Sequence, residues 1–146
     1  MITKSSFWIK AAAIAQLLTA AFHSISLFIS PQPENDTEKQ LYDLMANYKP
    51  DAGAGFHPSV SNLFTALSSC FTLLCLYGGV MIFYLLKKIS KGAIKGLLNI
   101  NLLVFGACFA MMAIFTFLPP VILTGLIVLC LIIARLLIAK ETVTDR

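Results

Sequence analysis

The chain has 146 residues, of which 58% are hydrophobic and 12% are charged. An ordinary soluble domain has about 45–50% apolar and about 25% charged residues, so this composition argues against one, and the long apolar runs indicate membrane spans. The net charge of +4 would fit a nucleic-acid binder, but the lysines lie beside apolar runs. We therefore expect no nucleic acid, and the anionic lipid of a cytoplasmic leaflet is the simpler partner.

The first apolar run extends from Phe7 to about Ile29, which is long enough for a helix to cross a bilayer. Small and polar residues recur in it at alternating steps of four and three and so share one helical face. They are Ala12, Gln16, Thr19, His23, Ser26 and Ser30. Such a face is typical of membrane helices that pack against each other. A cleaved signal peptide would not need it, which favours a retained span.

Residues 30–57 form a hydrophilic segment with five acidic and two basic side chains, and we place it outside the cytoplasm. Within it, Asn35 or Asp36 is expected to cap a short helix of roughly residues 37–48. Apolar residues recur on one side of this helix, namely Leu41, Leu44, Met45 and Tyr48. This pattern favours a position flat on the outer membrane surface or across the top of the spans.

The second apolar run, residues 59–86, is longer than a bilayer requires, so it should tilt or begin outside the hydrocarbon. It carries a second small and hydroxyl-rich face, formed by Ser61, Thr65, Ser68, Thr72, Cys75 and Gly79. Because the first two spans run in opposite directions, we expect the two faces to meet in one polar seam. Hydrogen bonds across it would contribute about 0.6–2 kcal/mol each.

A basic stretch at residues 87–95 contains four lysines and no acid. Positive charge in a short loop is retained on the cytoplasmic side of a membrane, so this stretch sets the orientation. Both chain termini are then cytoplasmic. The bases near the ends of the first and last spans agree with this orientation: Lys4, Lys10, Arg135 and Lys140.

The third span is predicted at about residues 94–117 and the fourth at about residues 121–138, joined by a tight outer turn at Pro119 and Pro120. The fourth span consists mostly of Leu, Ile and Val, so much of it should face lipid. Arg135, near its inner end, can extend its charged group to the headgroups.

His23 is an ionisable residue inside a span, which by default makes it a functional hypothesis. It could accept a proton, bind a metal or haem, or hydrogen-bond a lipid-like ligand, but it could also be a neutral histidine bonded to a hydroxyl across the seam. His57, at the outer edge of the second span, could join it. A haem held by both is disfavoured because they differ in depth by roughly two helical turns. Two histidines alone also make a poor zinc site. We expect no metal and no cofactor.

The other polar groups and the cysteines in the spans have simpler interpretations. Gln16, Asn99 and Asn101 are interpreted as partners in interhelical hydrogen bonds. The cysteines all lie in apolar runs without a Cys-x-x-Cys pair and should be reduced packing residues: Cys70, Cys75, Cys108 and Cys130. The sequence has no nucleotide-binding loop, nucleophile elbow or zinc-protease motif.

A set of residues in the first half of the chain resembles a group of small, uncharacterised bacterial four-helix inner-membrane proteins. The set comprises Phe22-His23, Phe28, Pro31, Leu44-Met45, Gly55-Phe56-His57 and the stretch from Ser59 to Ser68. In that group a first-helix histidine is followed by a proline-containing loop with a Leu/Met helix and then by a polar second helix. The second helix here lacks the tryptophan of the group. The resemblance implies four spans in a bacterial inner membrane and draws attention to His23, and it implies no activity.

The sequence therefore predicts an all-α integral membrane four-helix bundle, forming a single domain over residues 1–146. The first functional hypothesis is a non-enzymatic protein that binds a lipid-like small molecule or a partner subunit in the polar seam. The predicted ligand-binding residues are Gln16, Thr19, His23, Ser26, His57, Ser61, Thr65 and Ser68. The alternatives are a small membrane enzyme acting on a lipid or quinone with His23 as acid/base, and a subunit of a larger transport or membrane assembly. A second copy of the chain or another membrane subunit is a possible partner. The enzyme is less favoured because the spans hold no carboxylate to orient His23.

Overall fold

The computed structural model describes residues 4–29, 32–88 and 90–144, and within them all regular secondary structure is α-helical. The helices are α1 (Lys4–Ile25), α2 (Asp36–Asn47), α3 (Val60–Leu86), α4 (Lys91–Phe115) and α5 (Leu118–Thr144). All except α2 are long and apolar enough to cross a membrane. The predicted all-helical class and the four candidate spans are thus confirmed for the described residues. Ser30 and Pro31, used in the sequence analysis, lie outside them, as does Ile89 of the basic stretch.

The boundaries of the first and last long helices differ from the sequence expectation. Helix α1 ends at Ile25, and the next residues form a turn in which the Ser26 amide donates to the His23 carbonyl over 3.2 Å. Pro119 and Pro120 do not form a separate turn but lie in the first turn of α5. Proline is tolerated there because the first amides of a helix have no acceptor within it. Helix α5 also continues to Thr144, beyond the predicted end of the fourth span at about residue 138.

Helix α2 confirms the predicted short helix between the first two spans. The Asn35 side chain caps it by accepting a hydrogen bond from the Glu38 amide over 2.9 Å. The Glu38 carboxylate in turn accepts from the Glu34 amide over 2.8 Å. None of its residues is buried, and Leu41 and Leu44 are exposed. The apolar side of α2 is therefore open in this chain.

The chain divides into two compact units. The first consists of Met1–Ala20 together with Leu74–Arg146, and the second is Ala21–Leu73. The buried apolar core belongs to the first unit and is formed by side chains from four helices. Its largest members include Ile9 of α1, Ile82 of α3, Phe105 of α4 and Leu131 of α5. The prediction of a single domain over the whole chain stays a prediction.

Helices α4 and α5 pack antiparallel in the first unit. Asn99 lies opposite Arg135 near one end of the pair, with 2.8 Å between the Asn99 Oδ1 and Arg135 Nε atoms. Further along, the Phe109 ring lies beside Gly125. The inward side of α5 is buried at residues including Thr124 and Ile127. One side of α5 therefore belongs to the core, while side chains such as Leu129 and Leu136 on its other side are exposed.

Two glycines allow α3 to approach α1 closely in the first unit. A Cβ atom at Gly79 would lie 2.9 Å from the Ala13 carbonyl oxygen and 2.8 Å from the Leu17 Cγ atom. One at Gly78 would lie 2.6 Å from the Gln16 Oε1 atom. Small residues permit this short distance between the helix backbones. The small-residue face of the second span predicts such close packing.

The outer surface of the long helices is strongly apolar. Large side chains such as Leu103, Ile114 and Phe115 of α4 are each more than 70% exposed. Soluble proteins rarely expose apolar patches on this scale. The exposed apolar surface therefore calls for a non-aqueous environment or a partner.

Candidate functional site

His23 occupies the last turn of α1, in the second unit, and packs against an aromatic ring of α3. The His23 and Phe71 ring centroids are 5.1 Å apart with an interplanar angle of 86°, an edge-to-face arrangement. The Nε2 atom of His23 is buried and has no hydrogen-bond partner among the described residues. The histidine thus does not satisfy this nitrogen on a hydroxyl group, which was the simplest structural role open to it.

The hydroxyl-bearing residues of α3 in this unit bond mainly to their own helix. Thr65 Oγ1 donates to the Ser61 carbonyl over 3.0 Å, and Thr72 Oγ1 donates to the Ser68 carbonyl over 3.1 Å. Bonds to the preceding turn satisfy the hydroxyl hydrogens without a partner helix. Ser61 and Thr65 are exposed, and Ser68 is half-buried. The hydrogens of Thr65 and Thr72 are therefore not used across the predicted seam, while the side chains of Ser61 and Thr65 remain accessible.

Ser26 and His57 lie on the connecting segments of the second unit. Ser26 follows α1, is exposed, and its hydroxyl donates to the His23 carbonyl over 2.7 Å. His57 is exposed in the segment that precedes α3. Among the described residues, no three His, Cys, Asp or Glu side chains are grouped closely enough to hold a metal ion.

Gln16 and Thr19 lie in the packed interior of the first unit. Gln16 Nε2 donates to Asn101 Oδ1 over 3.3 Å, and Asn101 Nδ2 donates to the Leu97 carbonyl over 3.0 Å. Gln16 Oε1 is buried with no partner among the described residues. Thr19 is also buried and donates to the Ala15 carbonyl over 2.8 Å. The two residues are in a closed environment, unlike Ser61 and Thr65.

The interhelical hydrogen bonds predicted for the amide side chains are confirmed. Gln16 of α1 bonds to Asn101 of α4, and Asn99 of α4 bonds to Arg135 of α5. Phe71 was not predicted to be a neighbour of His23. Its position one residue before Thr72 was the available signal, because Phe71 borders the hydroxyl-rich face. The cysteines are all free, with Cys75 and Cys130 buried and Cys70 exposed.

Comparison of the chain with protein-family models, with curated proteins and with solved structures found no match.

Proposed function

We propose that the chain is a multi-pass integral membrane protein of a bacterial inner membrane that binds a lipid-like small molecule beside His23. Insertion is supported by the four long apolar helices and by the large apolar side chains on their outer surface. A bilayer would cover this surface and remove the cost of exposing it to water. Within the membrane, we propose that the four long helices form the bundle that the sequence predicts.

The distribution of charge supports an orientation with both termini in the cytoplasm. Within the first unit the sequence has nine Lys and Arg residues and two acids, a formal charge of +7; the second unit has two bases and five acids, a formal charge of −3. Two contacts bring basic helix ends of the first unit together, Ser5 to Glu141 and Asn99 to Arg135. Basic ends are retained in the cytoplasm, whereas an acidic segment can be translocated.

The unpaired Nε2 atom of His23 is the single observation that supports the ligand proposal. A buried polar atom without a partner costs about 1–3 kcal/mol, and ionisable residues in membrane helices usually serve a function. A ligand headgroup that donates to or accepts from this nitrogen would recover that cost. The adjacent Phe71 ring offers apolar contact for the rest of such a molecule. The ligand is thus amphipathic.

The remaining residues of the polar seam take two different roles in this proposal. Ser26, Ser61 and Thr65 are accessible and can contact the ligand headgroup, with half-buried Ser68 one turn from Phe71 and exposed His57 at the outer margin. Gln16 and Thr19 are buried in the first unit, and the proposal gives them a packing role in α1 rather than a contact with the ligand. His23 contacts an aromatic ring rather than a carboxylate, which favours binding over acid–base catalysis.

A photoreactive phospholipid tests this proposal in proteoliposomes. A probe with a diazirine on its acyl chain near the headgroup is crosslinked, and the labelled residues are mapped by peptide mass spectrometry. We expect labelling concentrated around His23 and Phe71, and a several-fold loss of this labelling in His23→Ala. Native mass spectrometry of the detergent-purified protein reports co-purifying ligand and oligomeric state in the same preparation.

Ser24→Ala is the matched control, because Ser24 lies beside His23 on α1 and its hydroxyl donates to the Ala21 carbonyl of the same helix, over 2.8 Å. This variant should label like the wild type. Equal labelling of the wild type and His23→Ala would show that His23 does not contact the ligand. A protein that stays monodisperse in buffer without detergent would contradict membrane insertion itself.

A further inference from the structure

Arg135 is held in a defined orientation by α4. Its Nε atom donates to Asn99 Oδ1 over 2.8 Å, and its side chain is half-buried. This bond uses one edge of the guanidinium group. No other partner of Arg135 occurs among the described residues, so its two terminal nitrogens are available. A guanidinium group fixed through Nε presents these nitrogens as a planar fork, the geometry that binds two oxygens of a phosphate.

A second cation lies one helical turn from the residue that holds Arg135. Lys95 precedes Asn99 by four residues on α4, so the two share a helical face, and Lys95 is half-buried. Glu141, the acid of α5, forms no ion pair with Arg135 or Lys95 among the described residues. The carboxylate of Glu141 accepts from the Ser5 amide over 3.1 Å and from the Ser5 hydroxyl over 2.6 Å.

The depth of Arg135 suits a lipid headgroup. It lies 17 residues beyond Leu118, the first residue of α5. At about 1.5 Å of rise per residue, the two residues are about 26 Å apart along the helix. The hydrocarbon of a bilayer is about 30 Å thick. If α5 begins at one interface, Arg135 therefore reaches the opposite headgroup region while its backbone is still in the spanning helix.

We propose that Arg135, positioned by Asn99 and assisted by Lys95, binds the phosphate of an anionic phospholipid from the cytoplasmic leaflet. Basic sites between helices on that side are suited to such headgroups. The inference rests on the membrane insertion proposed above and is independent of the ligand at His23. The proposed site binds one lipid headgroup at a defined position. It therefore differs from the general electrostatic attraction between a basic loop and the membrane surface.

Native mass spectrometry tests the site, with the purified protein in mixed micelles containing equal amounts of phosphatidylglycerol and phosphatidylcholine. We expect the wild type to retain phosphatidylglycerol preferentially. Arg135→Gln should bind it about tenfold more weakly, as expected for loss of charge-assisted hydrogen bonds. Arg135→Lys and Asn99→Ala should have intermediate effects, because each keeps a positive charge but loses either the fork or its orientation.

Lys49→Gln is the matched control, since it removes one exposed positive charge from the other unit and should retain the wild-type preference. Inorganic phosphate in large excess distinguishes a lipid site from a site for free phosphate. The proposal is supported if Arg135→Gln loses phosphatidylglycerol while Lys49→Gln retains it, and if inorganic phosphate does not displace the lipid. Equal binding by all variants, equal losses in both glutamine variants, or displacement by inorganic phosphate overturns it.

The two proposals fail separately. Arg135→Gln should leave the photolabelling around His23 unchanged. A protein that requires detergent but shows no lipid preference contradicts only the Arg135 site. Helicity by circular dichroism and a single elution peak in detergent establish that each variant is folded before its lipid binding is compared.

Discussion

Gln16 of α1 and Asn101 of α4 form a buried amide pair, with 3.3 Å between Gln16 Nε2 and Asn101 Oδ1. The residues are 85 positions apart in sequence. Because Asn101 also donates to the Leu97 carbonyl, the amide group of Gln16 is connected to the backbone of α4. The pair therefore links α1 to α4 within the core of the first unit.

Removing either amide should destabilise the protein, and the two effects should not add. We expect a coupling free energy of about 0.6–2 kcal/mol between Gln16→Ala and Asn101→Ala, the range for interhelical hydrogen bonds in membranes. Reversible unfolding of the wild type, both single variants and the double variant in mixed micelles measures it. Additive effects would show that the pair contributes no specific bond.

Larger side chains at the close contact between α1 and α3 should also destabilise the protein. A Cβ at Gly79 meets the Ala13 carbonyl oxygen at 2.9 Å, a backbone atom that cannot rotate away. Gly79→Ala should therefore cost about 1–3 kcal/mol, as for other overpacked cores. Thermal unfolding in detergent measures the loss. Gly106→Ala is the control, because a Cβ there meets nothing within 4 Å, and a comparable loss in that variant would contradict the packing argument.

The Ser5–Glu141 contact should stabilise the start of α1. The Ser5 amide is one of the first amides of the helix, which have no acceptor within it, and Glu141 supplies one from α5. Glu141→Ala should cost about 0.5–2 kcal/mol, as for loss of a helix cap. Hydrogen exchange should accelerate at the Ser5 amide. Glu38→Ala, which removes an acid from α2, should leave that amide unchanged; equal acceleration in both variants would exclude the cap.

The proposed orientation predicts which positions a membrane-impermeant maleimide can reach in intact bacterial cells. In a background with the four native cysteines replaced by alanine, Asn47→Cys, at the end of α2, should be labelled from outside. Lys87→Cys, in the basic segment after α3, should be labelled only after permeabilisation, because basic loops are retained inside. The reverse pattern would invert the proposed topology and place the Arg135 site in the outer leaflet.

The secondary structure was largely predictable because it depends on local properties of the chain. Runs of apolar residues indicated α1, α3, α4 and α5, and an amphipathic pattern behind the Asn35 cap indicated α2. Helix ends were less predictable. A proline pair can end one helix or begin the next, and here Pro119 and Pro120 begin α5.

The amino-acid sequence by itself determined that the protein is helical, which helices are apolar enough to cross a membrane, and that bases and acids are segregated along the chain. Only the tertiary structure decided that Gln16 bonds to Asn101, that His23 contacts Phe71 with one nitrogen unpaired, and that Asn99 orients Arg135. The physical reason is that hydropathy and helix periodicity are local, whereas these pairs depend on the rotation and register of helices distant in sequence. Side-chain packing across the whole core sets that rotation and register.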